Sequence, residues 1–266
     1  MVELAILADN RVVTSSPRGL RGEWGFAAAV GDVLFDAGYG GVAPENAARL
    51  GRDFDFGTVV LSHGHDDHTA GLEAALAHLD DPTLYCHPAV WRARYRSPDD
   101  GGGHIGCPYT RETVAEGATV VEHEDPVAVA DGIYALGEIP RTHADAAVGV
   151  IDTDDGRQPD PVPDDQALAV ETDGGVAVVL GCGHAGLRNT VEYAESVTGG
   201  TVRTIVGGTH LVARDETEIH ELADWLDGRI DCFGAAHCTG STARRILAER
   251  LPDAFESVGV GTVLDL

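Results

Sequence analysis

The sequence contains no lysine, and all 18 of its basic residues are arginine. Acidic residues number 44, so the formal net charge is −26 at pH 7. A surface this negative repels nucleic acid and anionic membranes, and we expect neither as a partner. Because salt screens such repulsion over short distances, the composition indicates a halophilic protein adapted to a salt-loaded cytoplasm.

Long apolar runs and paired cysteines are also missing. No run of residues is long and apolar enough to predict a transmembrane helix. Residues 1–13 lack the basic start and the cleavage site of a signal peptide, so we expect a cytoplasmic protein. The five cysteines are odd in number and form no C-x-x-C pair, which argues against a disulfide framework. With 266 residues, 43% of them hydrophobic, the chain is long enough for one large domain or two small ones, and we expect a single domain spanning residues 1–266.

Short apolar runs bounded by turn residues predict a chain rich in β-strands, with helical windows between them. Polar clusters follow the carboxyl ends of strands in both halves of the chain. This order favours an α/β fold in which two β-sheets lie face to face with helices outside, an αββα sandwich. A doubly wound α/β sheet is the alternative. Glycine and proline are frequent at 97–108 and 153–165, which we predict to be loops.

The predicted strands cover residues 3–9, 25–30, 32–38, 58–62, 83–87, 119–123, 132–137, 146–152, 167–172, 175–181, 202–208, 230–236 and 257–266. The predicted helices cover residues 43–51, 69–79, 186–200, 215–228 and 241–251.

The segment "SHGHDDHTAGL" at residues 62–72 places ligand-type side chains directly after a predicted strand. His63 and His65 point to the same side of an extended segment, because strand side chains alternate. A turn can then bring Asp67 and His68 to a second point, so the spacing suits two adjacent metal ions. Imidazole and carboxylate ligands predict zinc, with manganese or iron as alternatives. A purely structural alternative is a polar turn in which an aspartate caps the following helix.

The same segment resembles the H-x-H-x-D-H signature of the metallo-β-lactamase superfamily. The resemblance implies the αββα sandwich, a dinuclear metal site at the ends of the sheets and, in most members, hydrolytic chemistry. The run "VLFDAG" at 33–38 is similar to a motif whose aspartate, here Asp36, supports the metal ligands from behind. The later segments "GCGHAG", "GGTHL" and "HCTG", together with "IGCPYTRE", resemble relatives of 7,8-dihydropterin-6-methyl-4-(β-D-ribofuranosyl)aminobenzene-5′-phosphate synthase.

The resemblance implies further ligands downstream, where His184, His210 and His237 each follow an apolar run in a glycine-containing turn. Many hydrolases of the superfamily carry a bridging aspartate in such a turn, but this chain reads Gly-Cys-Gly-His there. Three readings stay open: His184 is a terminal ligand, Cys182 bridges, or only one ion binds tightly. We favour His184 as a ligand with Cys182 packed beside it. His143, in "RTHAD", is an alternative third histidine.

We therefore expect a metal-dependent hydrolase that acts through a metal-bound water on an ester, phosphoester or lactone of a small molecule. Asp66 or Asp67 would orient the water, and His210 would act as a ligand or as an acid to the leaving group. Arginines can hold a substrate phosphate, and the candidates are Arg111, Arg141 and Arg188. Two alternatives are a dihydropterin-transferring synthase that displaces diphosphate at the same metals, and a non-catalytic metal-binding or redox-sensing protein.

Overall fold

The computed structural model describes residues 2–97, 99, 101–143 and 148–266. Within these ranges the chain forms two seven-stranded sheets, one three-stranded sheet and seven α-helices. None of the described helices is both long enough and apolar enough to cross a membrane. The expectation of a single domain over residues 1–266 stays a prediction.

The first sheet contains the strands β1 (Glu3–Ala8), β2 (Ala27–Val30), β3 (Val33–Phe35), β4 (Thr58–Val60), β5 (Thr83–Cys86), β7 (Thr119–Glu122) and β17 (Val263–Asp265). The small sheet contains β6 (Arg94–Tyr95), β10 (Val150–Thr153) and β11 (Gly156–Pro159). The second large sheet contains β8 (Val127–Ala130), β9 (Ile133–Ala135), β12 (Ala167–Thr172), β13 (Gly175–Leu180), β14 (Val202–Gly207), β15 (Cys232–Ala235) and β16 (Phe255–Ser257).

The spatial order of the strands is β17-β1-β2-β3-β4-β5-β7 in the first sheet and β16-β15-β14-β13-β12-β9-β8 in the second. Both sheets mix parallel and antiparallel pairs; β3, β4, β5 and β7 run parallel in the first, as do β13 to β16 in the second. The helices are α1 (Val42–Arg49), α2 (Asp66–Thr69), α3 (Leu72–Leu76), α4 (Arg111–Val114), α5 (Leu187–Thr198), α6 (Glu216–Leu226) and α7 (Ser241–Arg250).

Strand β1 shows how the layers form, because both of its faces are buried. Leu4 and Ile6 belong to a core layer that also contains Leu168 and Val170 of the second sheet. Ala5, which lies between them, and Leu7, which follows, pack instead in a layer with residues of α1 and α3. Side chains of a strand alternate between faces, so one apolar run serves both layers.

The helices α5, α6 and α7 contribute buried residues to a third apolar layer on the outer face of the second sheet. The helices therefore lie outside and the two sheets meet face to face, which confirms the αββα sandwich. The alternative of one doubly wound sheet is wrong, because the strands divide between two sheets that bury a common apolar layer.

Three local predictions differ from the structure. The predicted helix at 69–79 is two short helices, α2 and α3, because Gly71 lies between them where a Cβ atom would collide with the carbonyl oxygen of Ala37. The predicted loop at 153–165 contains β11, an exposed strand paired with β10, which no apolar run could reveal. The predicted strand at 257–266 is divided, with β16 in one sheet, β17 in the other and Gly261 between them at φ 95°.

The predicted strand at 146–152 begins at residues 146 and 147, which lie outside the described residues. The strand β10 begins at Val150 and continues to Thr153. Strands β6 and β8 were not predicted at all. Strand β6 is only Arg94–Tyr95 and carries no apolar run, whereas β8 is an apolar run of four residues that sequence reasoning passed over.

Candidate metal centre

Strand β4 ends at Val60, and the first candidate ligand, His63, follows three residues later. His65 has extended backbone angles, φ −73° and ψ 148°, and α2 begins at the next residue. His63 and His65 therefore lie on the extended approach, whereas Asp67 and His68 lie on the first turn of the helix. This change of backbone shape separates the two pairs of side chains in space.

The first group of candidate ligands joins the two halves of the chain. Ligand atoms of His63, Cys182 and His184 lie within 4.8 Å of one another, and all three residues are buried. His65 belongs to the same place: its Nδ1 lies 2.9 Å from Nε2 of His63, and its ring lies 5.0 Å from that of His184. Three imidazoles and one thiol thus face a common point, a set of ligands that suits zinc.

The second group contains His68, Cys182 and His237, again within 4.8 Å and buried. Nε2 of His68 lies 3.2 Å from Sγ of Cys182. The carboxylate of Asp67 lies between the two histidines, 3.7 Å from Nε2 of His68 and 3.3 Å from Nε2 of His237. The sulfur of Cys182 is common to both groups, so it occupies the position of a bridge.

Several ring nitrogens in this cluster have no hydrogen-bond partner among the described residues. They are Nε2 of His65, both ring nitrogens of His184 and Nε2 of His237, and all are buried. A buried polar atom without a partner costs about 1–3 kcal/mol. A metal ion held by each group would satisfy one nitrogen of each of these rings, so the residues present fit a dinuclear metal centre.

Asp36 supports the cluster from behind. Its Oδ1 accepts a hydrogen bond from the backbone N–H of Ser62, and its Oδ2 accepts one from the Ser62 hydroxyl, each at 2.7 Å. Nδ1 of His68 also lies 2.7 Å from Oδ2 of Asp36. This contact directs Nε2 of His68 toward Cys182. Ser62 was not among the predicted residues, although its Oγ also lies 2.9 Å from Nδ1 of His63.

A buried charge network holds the backbone between His63 and His65. Arg94 is fully buried; its Nε donates to Oδ2 of Asp160 at 2.8 Å, and its Nη2 donates to Asp164. The other oxygen of Asp164 accepts the backbone N–H of Gly64 at 2.7 Å. A Cβ atom at Gly64 would collide with the carbonyl oxygen of Val90 and with Arg94. The histidine pair is therefore locked to a segment about 100 residues downstream.

Asp165 supports the later ligand loop. Its Oδ2 accepts the backbone N–H of Ala185 at 2.8 Å, directly after His184, and its other oxygen is buried. Burial raises the pKa of this carboxyl to about 7. Arg141, one of the predicted phosphate ligands, donates to the carbonyl oxygens of His184 and Val162 at 3.0 and 2.9 Å. Arg141 therefore contacts the backbone of the candidate metal loop.

Burial sets the protonation of most candidate ligands. It lowers the pKa of His63 and His184 well below the ordinary value and that of His65 to about 3, so these rings are neutral at pH 7 and available as ligands. Burial alone would also lower the pKa of His68, but Asp36 and Asp67 outweigh it and raise that pKa to about 9.

The two acidic candidate ligands are shifted in opposite directions. Burial raises the pKa of the Cys182 thiol well above its usual range. Burial would raise the pKa of Asp67 as well, but His68 and His237 outweigh it and hold that pKa well below its usual range. Without metal, the centre therefore contains a protonated His68, a neutral Cys182 thiol and an ionised Asp67.

A second cysteine, Cys238, was not among the predicted site residues. Its Sγ lies 3.3 Å from Sγ of Cys182 and accepts the backbone N–H of His210 at 3.2 Å. Cys238 follows His237 directly, so the turn that delivers that histidine also delivers the thiol. The signal available in the sequence was its place beside a histidine in a glycine-containing turn.

A cavity of about 610 Å³ opens onto the cluster. His65, Cys182, His184 and His237 line it, as do the predicted catalytic residues Asp66, Asp67 and His210. His210 has left-handed backbone angles, φ 48°, and its ring lies 4.4 Å from that of His184. Because it belongs to neither ligand group, the geometry places its ring beside the metal centre and not within it.

Three other predicted residues lie elsewhere, and among the described residues that line the cavity none of them is found. Nε2 of His143 lies 3.0 Å from the Glu192 carboxylate on the surface. Arg111 is exposed and pairs with Glu122 at 3.3 Å. Arg188 lies over the ring of Trp225 and donates to a backbone carbonyl. These partners account for all three side chains, so their proposed roles stay predictions without geometric support.

Comparisons with known proteins find similar chains over most of the sequence. The family model described as the metallo-beta-lactamase superfamily matches residues 31–198. The chain is 26% identical over 219 residues, 77% of its length, to 74% of the 7,8-dihydropterin-6-methyl-4-(beta-D-ribofuranosyl)-aminobenzene-5'-phosphate synthase of Methanocaldococcus jannaschii. It is 27% identical over 231 residues to the uncharacterized protein MJ0448 of the same organism, covering 85% of this chain and 86% of that protein.

Among solved structures, Tm1679, described as a metal-dependent hydrolase of the beta-lactamase superfamily, superposes with a TM-score of 0.88. That chain is 25% identical to this one, and the alignment covers 100% of this chain and 99% of the other. The similarity therefore extends over the whole sandwich.

Proposed function

Since the chain belongs to the metallo-beta-lactamase superfamily, we propose that it is a metal-dependent enzyme that hydrolyses an ester, phosphoester or lactone. The observation that carries the proposal is the Cys182 sulfur, which is common to two buried groups of ligand atoms. A shared anionic ligand lets two cations lie close together. The similarity to a metal-dependent hydrolase over the entire chain supports the same function.

When bound, two divalent ions, zinc in the first instance and manganese or iron as alternatives, would supply a water of lowered pKa and polarise a carbonyl or phosphoryl oxygen. His63, His65 and His184 would hold one ion, Asp67, His68 and His237 the other, with Cys182 between them. Other residues that line the cavity would then transfer the protons of the reaction.

We assign proton transfer to Asp66 and His210, which line the cavity and belong to neither ligand group. Asp66 is half-buried, and burial together with the neighbouring Asp67 raises the pKa of its carboxyl. Such a carboxyl can accept a proton from the attacking water. His210, beside His184, is placed to give a proton to the leaving group.

A second candidate function is a dihydropterin-transferring synthase that displaces diphosphate at the same centre. The observation in its favour is the similarity to the M. jannaschii synthase over about three quarters of each chain. The same ligands would serve it, since a diphosphate leaving group also needs cations. The two functions differ in the substrate that the cavity accepts.

One assay tests both functions. Zinc- or manganese-loaded protein is offered phosphodiesters, lactones, and a dihydropterin diphosphate with its aromatic acceptor, and product release is measured. We expect turnover of one class, and loss of that turnover in His63→Ala but not in His220→Ala, a histidine on α6 outside both ligand groups. Metal-loaded protein without turnover of any substrate would support the non-catalytic alternative instead.

Metal binding is expected to release protons. At pH 7 the metal-free protein holds a proton on His68, whose pKa is about 9, and another on the buried Cys182 thiol. A bound cation replaces both, so roughly two protons leave at pH 7. The proton on His68 competes with metal below its pKa, and zinc affinity therefore rises from pH 7 to pH 9.

Calorimetric titration with zinc in buffers of different ionisation enthalpy measures the protons released. The matched variant is Asp36→Asn, which removes the largest influence that raises the pKa of His68. We expect it to release fewer protons than the wild type at the same pH. A zinc affinity that is constant between pH 7 and pH 9 would contradict this account of the site.

A further inference from the structure

The rim of the cavity is aromatic and exposed. Trp24 is 61% exposed and Tyr39 is 52% exposed, and both line the cavity. Among the described residues, three of the six exposed large hydrophobic side chains lie here, since Val212 is the third. Apolar side chains left in water beside a polar cluster are typical of a binding surface.

The two aromatic residues are held by a backbone clamp. The carboxylate of Glu23 accepts the backbone N–H groups of Tyr39 at 3.1 Å and Gly40 at 2.7 Å. The segment after Trp24 lies directly against a candidate metal ligand, because Phe26 N–H donates to the carbonyl oxygen of Asp67 at 3.2 Å. The backbone that carries Trp24 and Tyr39 is therefore fixed relative to the candidate metal centre. A fixed backbone lowers the entropic cost of binding.

The distance from the Trp24 ring to the candidate metal ligands suits a ligand with a small ring. The ring of Trp24 lies 5.5 Å from that of His237, one of the candidate ligands of the second group. Trp24 lines the same cavity as His65, His184 and His237, so a ligand that contacts its ring within the cavity can extend a substituent toward the candidate metal centre. Stacked or edge-on aromatic pairs have centroids about 4.5–7 Å apart, which matches this scale.

Arg96 supplies a positive charge at the same cavity. It is exposed, lines the cavity and makes no ion pair with any described residue. Other arginines, among them Arg21, Arg157 and Arg229, are held in ion pairs with carboxylates. The charge of Arg96 acts to lower the pKa of the nearby Asp66, but no ion pair holds the guanidinium. It is therefore available for an anion such as a phosphate, which it can bind with two parallel hydrogen bonds.

We propose that the cavity binds a substrate that carries both a planar aromatic or heteroaromatic ring and an anionic group, with the ring stacked on Trp24 and the anion paired with Arg96. The proposed function determines the bond that reacts, and this inference deepens it by naming the substrate class. Binding of the two groups is measurable without turnover, so the two proposals can fail separately.

The test compares ligands that differ in one feature. Binding of 1-naphthyl phosphate, cyclohexyl phosphate and 1-naphthalenemethanol is measured by calorimetry with zinc-loaded and with metal-free protein. We expect 1-naphthyl phosphate to bind most tightly in both forms. In Trp24→Ala its affinity falls by about 3- to 10-fold, the range expected for one aromatic stack, and Trp24→Phe retains most of it. The affinity for cyclohexyl phosphate is unchanged by either substitution.

Arg96→Ala is expected to weaken both phosphates and to leave 1-naphthalenemethanol unchanged. The matched control is Arg92→Ala, an exposed arginine on the same segment that does not line the cavity. Because Trp24 and Arg96 are exposed, these variants should fold, and circular dichroism checks this.

Three results would overturn the proposal: no binding of 1-naphthyl phosphate, an unchanged affinity in Trp24→Ala, or an equal loss for both phosphates in that variant. If the substrate assay shows no turnover but the binding pattern holds, the proposed function fails alone. If turnover is found and Trp24→Ala changes nothing, the proposed substrate class fails alone.

Discussion

Replacing Cys182 with alanine is expected to empty both metal positions, whereas replacing His184 or His237 empties one. The sulfur of Cys182 belongs to both ligand groups, while each histidine belongs to one. Its loss removes a ligand from each ion at once. Metal affinity should therefore fall by more than the roughly 10- to 100-fold typical of a supporting residue, and activity should fall with it.

Elemental analysis of dialysed protein measures the ions retained per chain. Two cysteine variants serve as controls. Cys86→Ala removes a buried thiol from the core of the first sheet, and Cys238→Ala removes the neighbour 3.3 Å from the Cys182 sulfur. Both are expected to retain two ions. If Cys182→Ala also retained two ions, the sulfur would be a packed neighbour of the ligands and not a bridge.

Arg94→Met is expected to destabilise the fold by about 3–5 kcal/mol, the usual cost of leaving buried charges without their partner. Arg94 is fully buried between Asp160 and Asp164, so its removal leaves two buried carboxylates facing each other. Since Asp164 also accepts the backbone N–H of Gly64, the substitution should loosen the histidine pair and weaken metal binding.

Urea unfolding of the metal-free protein measures the change in stability. The matched control is Arg245→Ala, which breaks two exposed ion pairs, one to Glu216 of α6 and one to Glu249 within α7. Exposed pairs contribute about 0–1 kcal/mol, so this variant should unfold close to the wild type. An Arg94→Met variant that loses no more stability than Arg245→Ala would show that the buried network contributes little.

The arrangement of the histidine motif could be predicted from the sequence because local rules govern it. A strand, a glycine and a helix start determine where His63, His65, Asp67 and His68 point, and all of them lie within six residues. The sandwich could be predicted for a similar reason, since near-continuous apolar strands need two buried faces.

The later part of the site could be predicted only as alternatives. His184 and Cys182 are two residues apart around Gly183, which has φ 65°, and sequence reasoning ranked the histidine above the thiol. The structure brings both side chains to the same cluster because the turn folds them toward one side. Which side chains of such a turn face the site depends on its backbone angles, and residue types alone do not determine those angles.

Contacts between distant segments were beyond sequence reasoning. Arg94 and Asp164 are 70 residues apart, and each reads as an ordinary surface charge in the sequence. Trp24 and Arg96 likewise come from separate segments, and only the folded chain shows that they line one cavity. Pairing of this kind follows from the way the small sheet and the loops lie over the sandwich, for which a single sequence carries no local signal.

The candidate ligands come from both large sheets: the motif after β4 belongs to the first, and the turns after β13 and β15 belong to the second. Cations held there would link the two sheets at the ends of these strands. A ligand that binds only the folded state, present at 100 times its dissociation constant, adds about 2.7 kcal/mol to stability. For a metal-loaded chain of this design a chelator therefore lowers the free energy of unfolding, because it removes a link between the two sheets.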